Sequence, residues 1–382
     1  MKLSLRKVQL YGYVLPLCRP LTTQIAREGS ANRGPAGASP EGVRRGLLVA
    51  LYDEKGRVGW GDIAPLPGLH DECLRQAKQQ AKHLLTQLLR CDQVICHTTF
   101  SKGIFEICKE PMAPSVRWGV ETALVHVQRL QRPESIGQHT TLTLNALVPP
   151  GDCSQMISHA RKLLLAECTC LKLKVGHLLP LQAADLVRHM YVLCKTYGAS
   201  MRLDMGGRWS LQQAVQFGRC IRPHWVEYVE EPVMNPQCIP RLHACTGLSC
   251  ALDDTLHRLP AGVWTKLRGV CAWVVKPSLL AGGLRQWHGL LREARRCRVS
   301  VVLSSCFESG LGLRHIACLA RDFRHAPTAA GLLTSCWFAA DVMPLMAAPK
   351  SGPTIHLPTI IQQLDRFDPR RAVMCRLLWQ QF

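Results

Sequence analysis

The sequence predicts an α/β protein in which a small N-terminal α+β unit precedes a set of parallel strands arranged as a barrel. From about Thr141, short apolar runs alternate with helical stretches of about 10–15 residues, which is the pattern of successive βα units in a parallel sheet. Before that point the apolar runs are longer, and a segment rich in Gly, Ala, Ser and Pro separates two of them, as in a meander.

Length and composition are those of an ordinary globular enzyme. A chain of 382 residues can form one large domain with a smaller one attached, and 47% hydrophobic residues argue against disorder. The longest uncharged apolar stretches, such as 326–340, are too short to span a bilayer, so no membrane association is expected. The first residues, Met1 to Lys7, lack the apolar core of a signal peptide, and a cytoplasmic location is expected.

The net charge and the cysteine count do not indicate a nucleic-acid-binding or disulfide-rich protein. The net charge is +20, but the basic residues are spread along the chain, which favours a solvated surface over a nucleic-acid site. This charge alone supports the remote alternative of a non-catalytic basic binding protein. The 19 cysteines are odd in number and irregularly spaced, so we expect reduced thiols.

The N-terminal unit is predicted to contain two strands and two helices. Leu3 to Leu17 and Leu47 to Asp53 are predicted strands, and residues 28–40 are expected to form a long mobile loop between them. A helix begins near Asp71, and a second covers Ser115 to Arg129. The first helix has an apolar face that repeats at intervals of three and four residues: Leu74, Ala77, Ala81, Leu84, Leu85 and Leu88.

The later strands end in polar residues at regular intervals. Successive polar residues at these ends are 23 to 32 residues apart, about one strand, loop and helix per step. An open doubly wound sheet has similar spacing, but its polar residues converge only at a switch point, whereas a closed barrel gathers all strand ends at one mouth. The predicted strands are Leu142 to Leu147, Cys170 to Val175, Ser200 to Leu203, Trp225 to Val229, Ser249 to Leu252, Ala272 to Val275 and Val299 to Leu303.

Two lysines on one apolar strand indicate a charged site. Lys172 and Lys174 alternate with apolar residues and therefore point to the same face of their strand. Two ammonium groups at one interior point are costly without partners, and Asp204, Glu230 and Asp253 follow at successive strand ends. Three carboxylates without cysteine or histidine predict an all-oxygen site for Mg²⁺, with Mn²⁺ as the alternative ion.

This residue set suits removal of a proton next to a carboxylate. Lys276 stands opposite the lysine pair by strand order. Burial and mutual repulsion favour a neutral lysine that can act as a base, while the carboxylates oppose this effect. A divalent cation on the substrate carboxylate would stabilise the enediolate charge that develops as the proton leaves.

The motifs at these positions resemble those of the enolase superfamily, in its muconate-lactonizing-enzyme subgroup, and within it the o-succinylbenzoate synthase family. The resemblance runs from about residue 3 to residue 345. The full series of motifs is specific to this family, whereas any single motif is not. The matching segments are Gly59 to Gly68, Leu144-Asn145, Lys172-Leu173-Lys174, Leu203-Asp204, Val229 to Pro232, Leu252 to Thr255, Val275-Lys276-Pro277 and Ser304 to Gly312.

The resemblance implies a fold and a reaction. The fold is a modified (β/α)7β TIM-type barrel at 136–325 with an N-terminal α+β capping domain at 1–135, on which the C-terminal segment 326–382 packs back. The reaction is Mg²⁺-dependent syn dehydration of 2-succinyl-6-hydroxy-2,4-cyclohexadiene-1-carboxylate to 2-succinylbenzoate, a step of menaquinone and phylloquinone biosynthesis. The implied partner is thus a small-molecule carboxylate; the sequence does not predict an oligomeric state.

The resemblance also implies residue roles. Lys174 removes the α-proton and returns a proton to the departing hydroxyl, Lys172 assists at the carboxylate, and Lys276 stabilises the enediolate from the other face. Asp204, Glu230 and Asp253 match the metal ligands. Implied substrate contacts are Asn145, Ser304, Ser305 and Gly310.

Several positions depart from the pattern of this family. Gly206 stands where an Asn is usual, Asp62 and Asp254 replace glutamates, and Leu333 replaces an Asp. The segment 28–40 is an insertion in a loop that usually closes over the substrate. An N-succinylamino acid racemase or a related epimerase therefore remains the alternative function, because it would use the same site on another substrate.

Overall fold

Two sheets dominate the fold, one antiparallel and one made of parallel strands. The structure is a computed structural model that describes residues 2–18, 21, 42–91, 94–95, 111–131, 140–258, 265, 267–323, 328–345, 353–372 and 374–382. The predicted loop at 28–40 lies outside these residues. Within them, each cysteine is a free thiol, as predicted, and no helix is long and apolar enough to cross a membrane.

The antiparallel sheet has four strands and includes both ends of the chain. Strands are numbered along the chain, and the spatial order in this sheet is β15, β2, β3, β4. The short strands β1 and β5 pair with each other beside it. The bounds are β1 Lys2–Leu3, β2 Leu5–Pro16, β3 Val43–Asp53, β4 Val58–Ile63, β5 Val94–Ile95 and β15 Cys375–Gln381.

Two helices cover one face of this sheet. They are α1 Leu74–Arg90 and α2 Pro114–Gln131, and their buried residues form one core with β2 and β3. Both predicted strands and both predicted helices are confirmed, and the predicted apolar face of α1 is buried except at Leu74, which is partly buried. The helix α1 starts later than the predicted Asp71, because Cys73 still has extended backbone and serves as the N-cap.

The parallel sheet contains seven strands in sequential order from β7 to β13, each paired with its neighbours in the chain. Helices follow most strands and pack on the outside, so apolar side chains from strands and helices share one large core. The strands are β7 Ala146–Val148, β8 Cys170–Lys174, β9 Ser200–Asp204, β10 Val229–Glu230, β11 Cys250–Leu252, β12 Val270–Val275 and β13 Ser300–Leu303. The helices are α3 Cys153–Leu165, α4 Pro180–Thr196, α5 Leu211–Cys220, α6 Ile239–Thr246, α7 Asp254–Arg258, α8 Gly283–Cys297 and α9 Gly310–Cys318.

A short segment closes the ring between the two outer strands. Leu144, just before β7, forms a parallel bridge with Ala330, and Ser304, just after β13, forms one with Gly331. The amide of Gly331 donates to Leu303 O at 2.8 Å, and Asn145 N donates to Ala330 O at 2.8 Å. The predicted barrel is therefore confirmed, with two bridging residues in place of a regular eighth strand.

Two predicted strands differ from the structure. The run Leu142 to Leu147 is divided into β6 Thr141–Thr143 and β7, and β6 pairs with β14 Thr354–His356 outside the ring. The prediction of a strand from Trp225 is wrong, because Pro223–Trp225 forms a 3-10 helix and the strand is only Val229–Glu230. Proline fixes φ near helical values, which favours that turn over extended backbone.

The C-terminal segment is divided between the two sheets. Ala330 and Gly331 lie in the barrel seam, while β15 pairs with β2 of the antiparallel sheet. Between them, α10 Leu357–Asp365 contacts α9 of the barrel. The predicted boundaries at 135 and 325 stay predictions, and the seam shows that the segment after 325 contributes to both units.

Candidate active site

Strand register brings the predicted site residues to one end of the barrel. Lys174 is paired in register with Asp204, and Asp204 is paired with Glu230. These three residues are therefore neighbours at the carboxyl ends of β8, β9 and β10. Asp253 and Lys276 directly follow β11 and β12, so they emerge at the same barrel mouth.

The lysine pair shares a carboxylate, as its spacing predicts. The Nζ atom of Lys172 lies 3.2 Å from Asp204 Oδ2, and that of Lys174 lies 3.9 Å from the same oxygen. Lys172 also lies 2.5 Å from Glu230 Oε1. Its side chain is 15% exposed, against 38% for Lys174, so Lys172 is held among carboxylates while Lys174 is accessible from the mouth.

Lys276 binds the carboxylates on the other side of the cluster. Its Nζ lies 2.6 Å from Asp253 Oδ2 and 3.2 Å from Asp254 Oδ1. The side chain of Lys276 is 10% exposed. Asp254, whose side chain is shorter than that of the glutamate usual at this position, therefore contacts Lys276 directly. The carboxylates lie between Lys276 on one side and Lys172 and Lys174 on the other.

Glu231 fixes the turn that carries Asp253. One carboxylate oxygen of Glu231 accepts from Asp253 N at 2.7 Å and from Thr255 N at 2.9 Å, and the other accepts from Thr255 Oγ1 at 2.6 Å. Glu231 has a positive φ of 43°. Strain of this kind is maintained where surrounding contacts define the conformation, as these three hydrogen bonds do.

Burial changes the acidity of the carboxylates. Burial raises the pKa of Glu230 to about 8, although Lys172 opposes the shift. The pKa of Asp253 is also raised by burial, against the effect of Lys276. For Asp204, burial is outweighed by Lys172 and Lys174, and its pKa falls to about 2.

The balance of effects on two of the lysines is decided by the carboxylates. Burial lowers the pKa of Lys172, but Asp204, Glu230 and Asp253 outweigh it and raise the pKa above its usual range. The same competition raises the pKa of Lys276. The ammonium groups of Lys172 and Lys276 are therefore held charged by their neighbouring carboxylates. This leaves Lys174, the more exposed lysine, as the candidate base.

The donor set fits a divalent cation in its chemistry. Glu230 Oε2 and Asp253 Oδ1 are buried and have no hydrogen-bond partner in the described part of the chain. Each carboxylate thus has one oxygen near a lysine and one oxygen unsatisfied, which is costly without a cation or water. Across the described ranges no three Asp, Glu, His or Cys side chains already lie close enough together to hold a metal ion. The oxygens available to a cation are therefore Glu230 Oε2 and Asp253 Oδ1.

The predicted substrate contacts fall into two groups. A Cβ atom at Gly331 would lie 3.1 Å from Ser304 Oγ and 3.8 Å from Asn145 Nδ2, so these two side chains meet at the barrel seam. The hydroxyl of Ser305 is hydrogen-bonded within the protein, since it lies 3.2 Å from Gly331 O and 2.9 Å from Thr334 Oγ1. The amide of Gly310 donates to the carboxylate of Asp341. Their contact with substrate stays a prediction.

The departure at Gly206 is accommodated locally. Gly206 has a φ of 60°, a region that favours glycine, and its amide donates to Asp204 Oδ1 at 3.0 Å. The backbone thereby orients the carboxylate of Asp204. A side chain at this position would have to adopt a strained conformation.

Arg202 is a site neighbour that the sequence reasoning missed. It precedes Asp204 by two residues and therefore shares its inward face, level with Lys172, with which it is paired in register. Its Nε donates to Glu227 at 2.5 Å, and Nη1 donates to Ala329 O at 2.6 Å. The alternation that revealed the lysine pair also applies to this strand and could have identified it.

The N-terminal unit contributes to the same end of the barrel. Asp62 accepts from Tyr13 Oη at 2.9 Å and from Ser309 N and Oγ at 2.9 and 2.8 Å. Burial raises the pKa of Asp62 to about 7. Ser309 is the N-cap of α9, so a carboxylate of the antiparallel sheet fixes the start of a barrel helix.

Family comparisons agree with this arrangement. Residues 155–359 match the family described as enolase C-terminal domain-like, which is more than half of the chain. The chain belongs to this enolase family. Residues 38–127 of this family member also match the MenC N-terminal domain.

Relatives of this enolase family member include both plant and bacterial proteins. It is 28% identical over 327 residues to o-succinylbenzoate synthase of Pasteurella multocida, covering 84% of this chain and 86% of the relative. It is 29% identical over 296 residues to Protein PHYLLO, chloroplastic, of Arabidopsis thaliana, covering 71% of this chain. The match spans 17% of that much longer plant protein.

Solved structures share the fold of this enolase family member. The L-Ala-D/L-Glu epimerase of Bacillus subtilis has a TM-score of 0.75 at 20% identity, with 94% of this chain and 97% of the epimerase covered. A dipeptide epimerase of Cytophaga hutchinsonii, solved with Mg and a dipeptide, has a TM-score of 0.67 at 17% identity. The match covers 89% of each chain.

Proposed function

We propose that this protein is an o-succinylbenzoate synthase, which dehydrates 2-succinyl-6-hydroxy-2,4-cyclohexadiene-1-carboxylate to 2-succinylbenzoate. The relatives support this choice of substrate, since the Pasteurella multocida relative is an o-succinylbenzoate synthase and the match covers most of its length. The observation that carries the chemistry is the accessible Lys174 beside a largely buried cluster of three carboxylates and two charged lysines.

Lys174 is the proposed base. Its Nζ removes the proton from C1, the carbon next to the substrate carboxylate, and then returns a proton to the C6 hydroxyl, which leaves as water. The C–H and C–O bonds break, one ring double bond forms, and the lysine ends in its starting state. Because one amine serves both groups, both must lie on the same face of the ring, and the elimination is syn.

The other two lysines act as fixed charges. Lys276 is buried and held charged by Asp253 and Asp254, so it stabilises negative charge that develops on the substrate carboxylate after proton removal. Lys172 lies deeper than Lys174 and contacts Asp204 and Glu230. It holds the substrate carboxylate beside Lys174.

Asp204, Glu230 and Asp253 are the proposed ligands of Mg²⁺. The unsatisfied oxygens Glu230 Oε2 and Asp253 Oδ1 support this assignment, as does the all-oxygen donor set. When bound, the ion supplies positive charge at the substrate carboxylate. Preference for Mg²⁺ over Mn²⁺, like the cytoplasmic location, is part of the proposal.

The test is turnover of the cyclohexadiene by the purified protein, followed as loss of the ring chromophore. We expect turnover that depends on added Mg²⁺ and stops with a chelator. Absence of turnover, with or without metal, would reject the synthase assignment. Racemisation of an N-succinylamino acid without dehydration would instead support the alternative function.

A further inference from the structure

The segment after Lys276 is a tight turn with a buried centre. Lys276 follows β12 and is the N-cap of the 3-10 helix Pro277–Leu279. The amide of Leu279 donates to Lys276 O at 3.0 Å, and Ser278 is 1% exposed. The position of the Lys276 side chain therefore depends on what holds Ser278.

His70, from the N-terminal unit, binds this turn through its backbone. His70 Nδ1 accepts from Leu66 N at 3.0 Å, and Nε2 lies 3.2 Å from Ser278 O. A carbonyl oxygen can only accept a hydrogen bond. The neutral ring therefore carries its proton on Nε2, and Nε2 donates a hydrogen bond to Ser278 O. Burial lowers the pKa of His70 to about 4, which keeps the ring neutral near pH 7.

A second restraint acts on the side chain of the same serine. Ser278 Oγ donates to Glu308 Oε1 at 2.5 Å, and Cys306 N donates to Glu308 Oε2 at 2.6 Å. The guanidinium of Arg44, also from the N-terminal unit, donates to Phe307 O at 3.0 Å and to Cys306 O at 3.3 Å. The turn is thus held by the barrel through Glu308 and by the N-terminal unit through His70.

We propose that His70 is a positioning residue for Lys276, which couples docking of the N-terminal unit to the placement of the ammonium group opposite Lys174. The bond from His70 Nε2 to Ser278 O is the direct link. This inference rests on the proposed function for its effect on turnover. The placement of Lys276 itself can be measured without any substrate.

Two substitutions separate the contacts of the imidazole. His70→Asn keeps an acceptor near the position of Nδ1 for Leu66 N but cannot reach Ser278 O. His70→Gln can place an amide donor near the position of Nε2. His83→Asn is the matched control, because His83 is exposed on α1 of the same unit.

The measurement is the rate at which Lys276 is reductively methylated by formaldehyde and cyanoborohydride, read by peptide mass spectrometry. We expect several-fold faster methylation in H70N and wild-type rates in H70Q and H83N. In the turnover assay, H70N should lose about 10- to 100-fold in kcat with KM changed less than about threefold, as for a misplaced group. H70Q should recover most of the loss.

Each outcome decides the inference. Wild-type methylation and kcat in folded H70N would overturn it, as would equal losses of kcat in H70N and H70Q, which would assign the effect to the turn at Leu66. If H70N does not fold, a 10-fold loss of kcat in folded H70Q would overturn it. Absence of turnover in the wild type would reject the synthase assignment, while the methylation rates would still test the placement of Lys276.

Discussion

The Nζ atom of Lys172 lies 2.5 Å from Oε1 of Glu230, while Oε2 of the same carboxylate has no hydrogen-bond partner among the described residues. One carboxylate therefore faces a fixed ammonium group on one side and presents an unsatisfied oxygen on the other. The same division holds at Asp253, whose Oδ2 contacts Lys276. Each of these two lysines thus contacts one oxygen of a proposed ligand and leaves the other oxygen available to a cation.

Glu230→Gln should weaken Mg²⁺ binding. The amide keeps an acceptor for Lys172 but cannot ionise to bind a cation, so we expect at least about a 10-fold rise in the dissociation constant, measured by isothermal titration calorimetry. Asp185→Asn is the control, since Asp185 is exposed on α4 and pairs with Arg188. Equal affinities of E230Q and wild type would remove Glu230 from the ligand set.

Gly331→Ala should impair substrate binding more than chemistry. A new Cβ would lie 3.1 Å from Ser304 Oγ and 3.8 Å from Asn145 Nδ2, which crowds both proposed substrate contacts. We expect KM to rise about 3- to 10-fold with kcat within about twofold, in steady-state assays. Gly289→Ala, where a Cβ meets only Arg292 Nη2 at 4.0 Å, should leave KM unchanged. An unaltered KM in G331A would argue against substrate at the seam.

Glu121→Gln should change how stability depends on pH. Glu121 accepts from Leu284 N at 2.7 Å, and burial raises its pKa to about 7. Between about pH 4.5 and 7 the folded state keeps this proton and the unfolded state releases it, so wild-type stability falls as pH rises through this window.

The glutamine cannot titrate, so E121Q should gain stability relative to wild type between pH 5 and 8. The gain is on the order of 2–3 kcal/mol, from denaturant unfolding at each pH. Glu54→Gln, in the exposed turn between β3 and β4, is the control for the loss of a surface glutamate. A difference between E121Q and wild type that does not vary with pH would contradict the raised pKa.

Lys276→Arg separates the two candidate reactions. Arginine keeps the charge near Asp253 and Asp254 but cannot exchange a proton near neutral pH. We expect it to abolish any racemisation of N-succinylamino acids, measured by loss of optical rotation, while leaving measurable dehydration. Retained racemisation in K276R would show that racemisation does not need Lys276 as a second acid or base.

The barrel mouth could be predicted because its signals are local. Alternation places Lys172 and Lys174 on one face, and strand ends place Asp204, Glu230 and Asp253 at successive positions of a ring. Parallel register then fixes which of these residues are neighbours, as the pairing of Asp204 with Glu230 shows. These features depend on periodicity and strand order, which the sequence contains.

The closure of the ring could not be predicted in the same way. Ala330 and Gly331 complete it with isolated bridges, and two residues carry no periodic pattern. Likewise, the 3-10 helix Pro223–Trp225 takes up the first residue of the run Trp225 to Val229, which its apolar pattern assigns to a strand. In the first case tertiary contacts form the bridges, and in the second proline geometry overrides the local apolar pattern.

The protonation balance also required three-dimensional distances. Lys276 is buried and Lys172 is largely buried, which lowers a lysine pKa, but contacts of 2.5 Å from Lys172 and 2.6 Å from Lys276 to carboxylates reverse the shift. The link from His70 to Ser278 depends on docking of the two units and has no signal in the sequence.

The most direct test of the account is the behaviour of Lys174→Ala with the cyclohexadiene substrate and Mg²⁺. Lys174 is the accessible lysine of the cluster, so its loss should reduce kcat by about 10²- to 10⁴-fold, while substrate still binds within a few-fold of wild type. Lys195→Ala, an exposed position on α4, should match wild type. Near-normal turnover in K174A would contradict its assignment as the base.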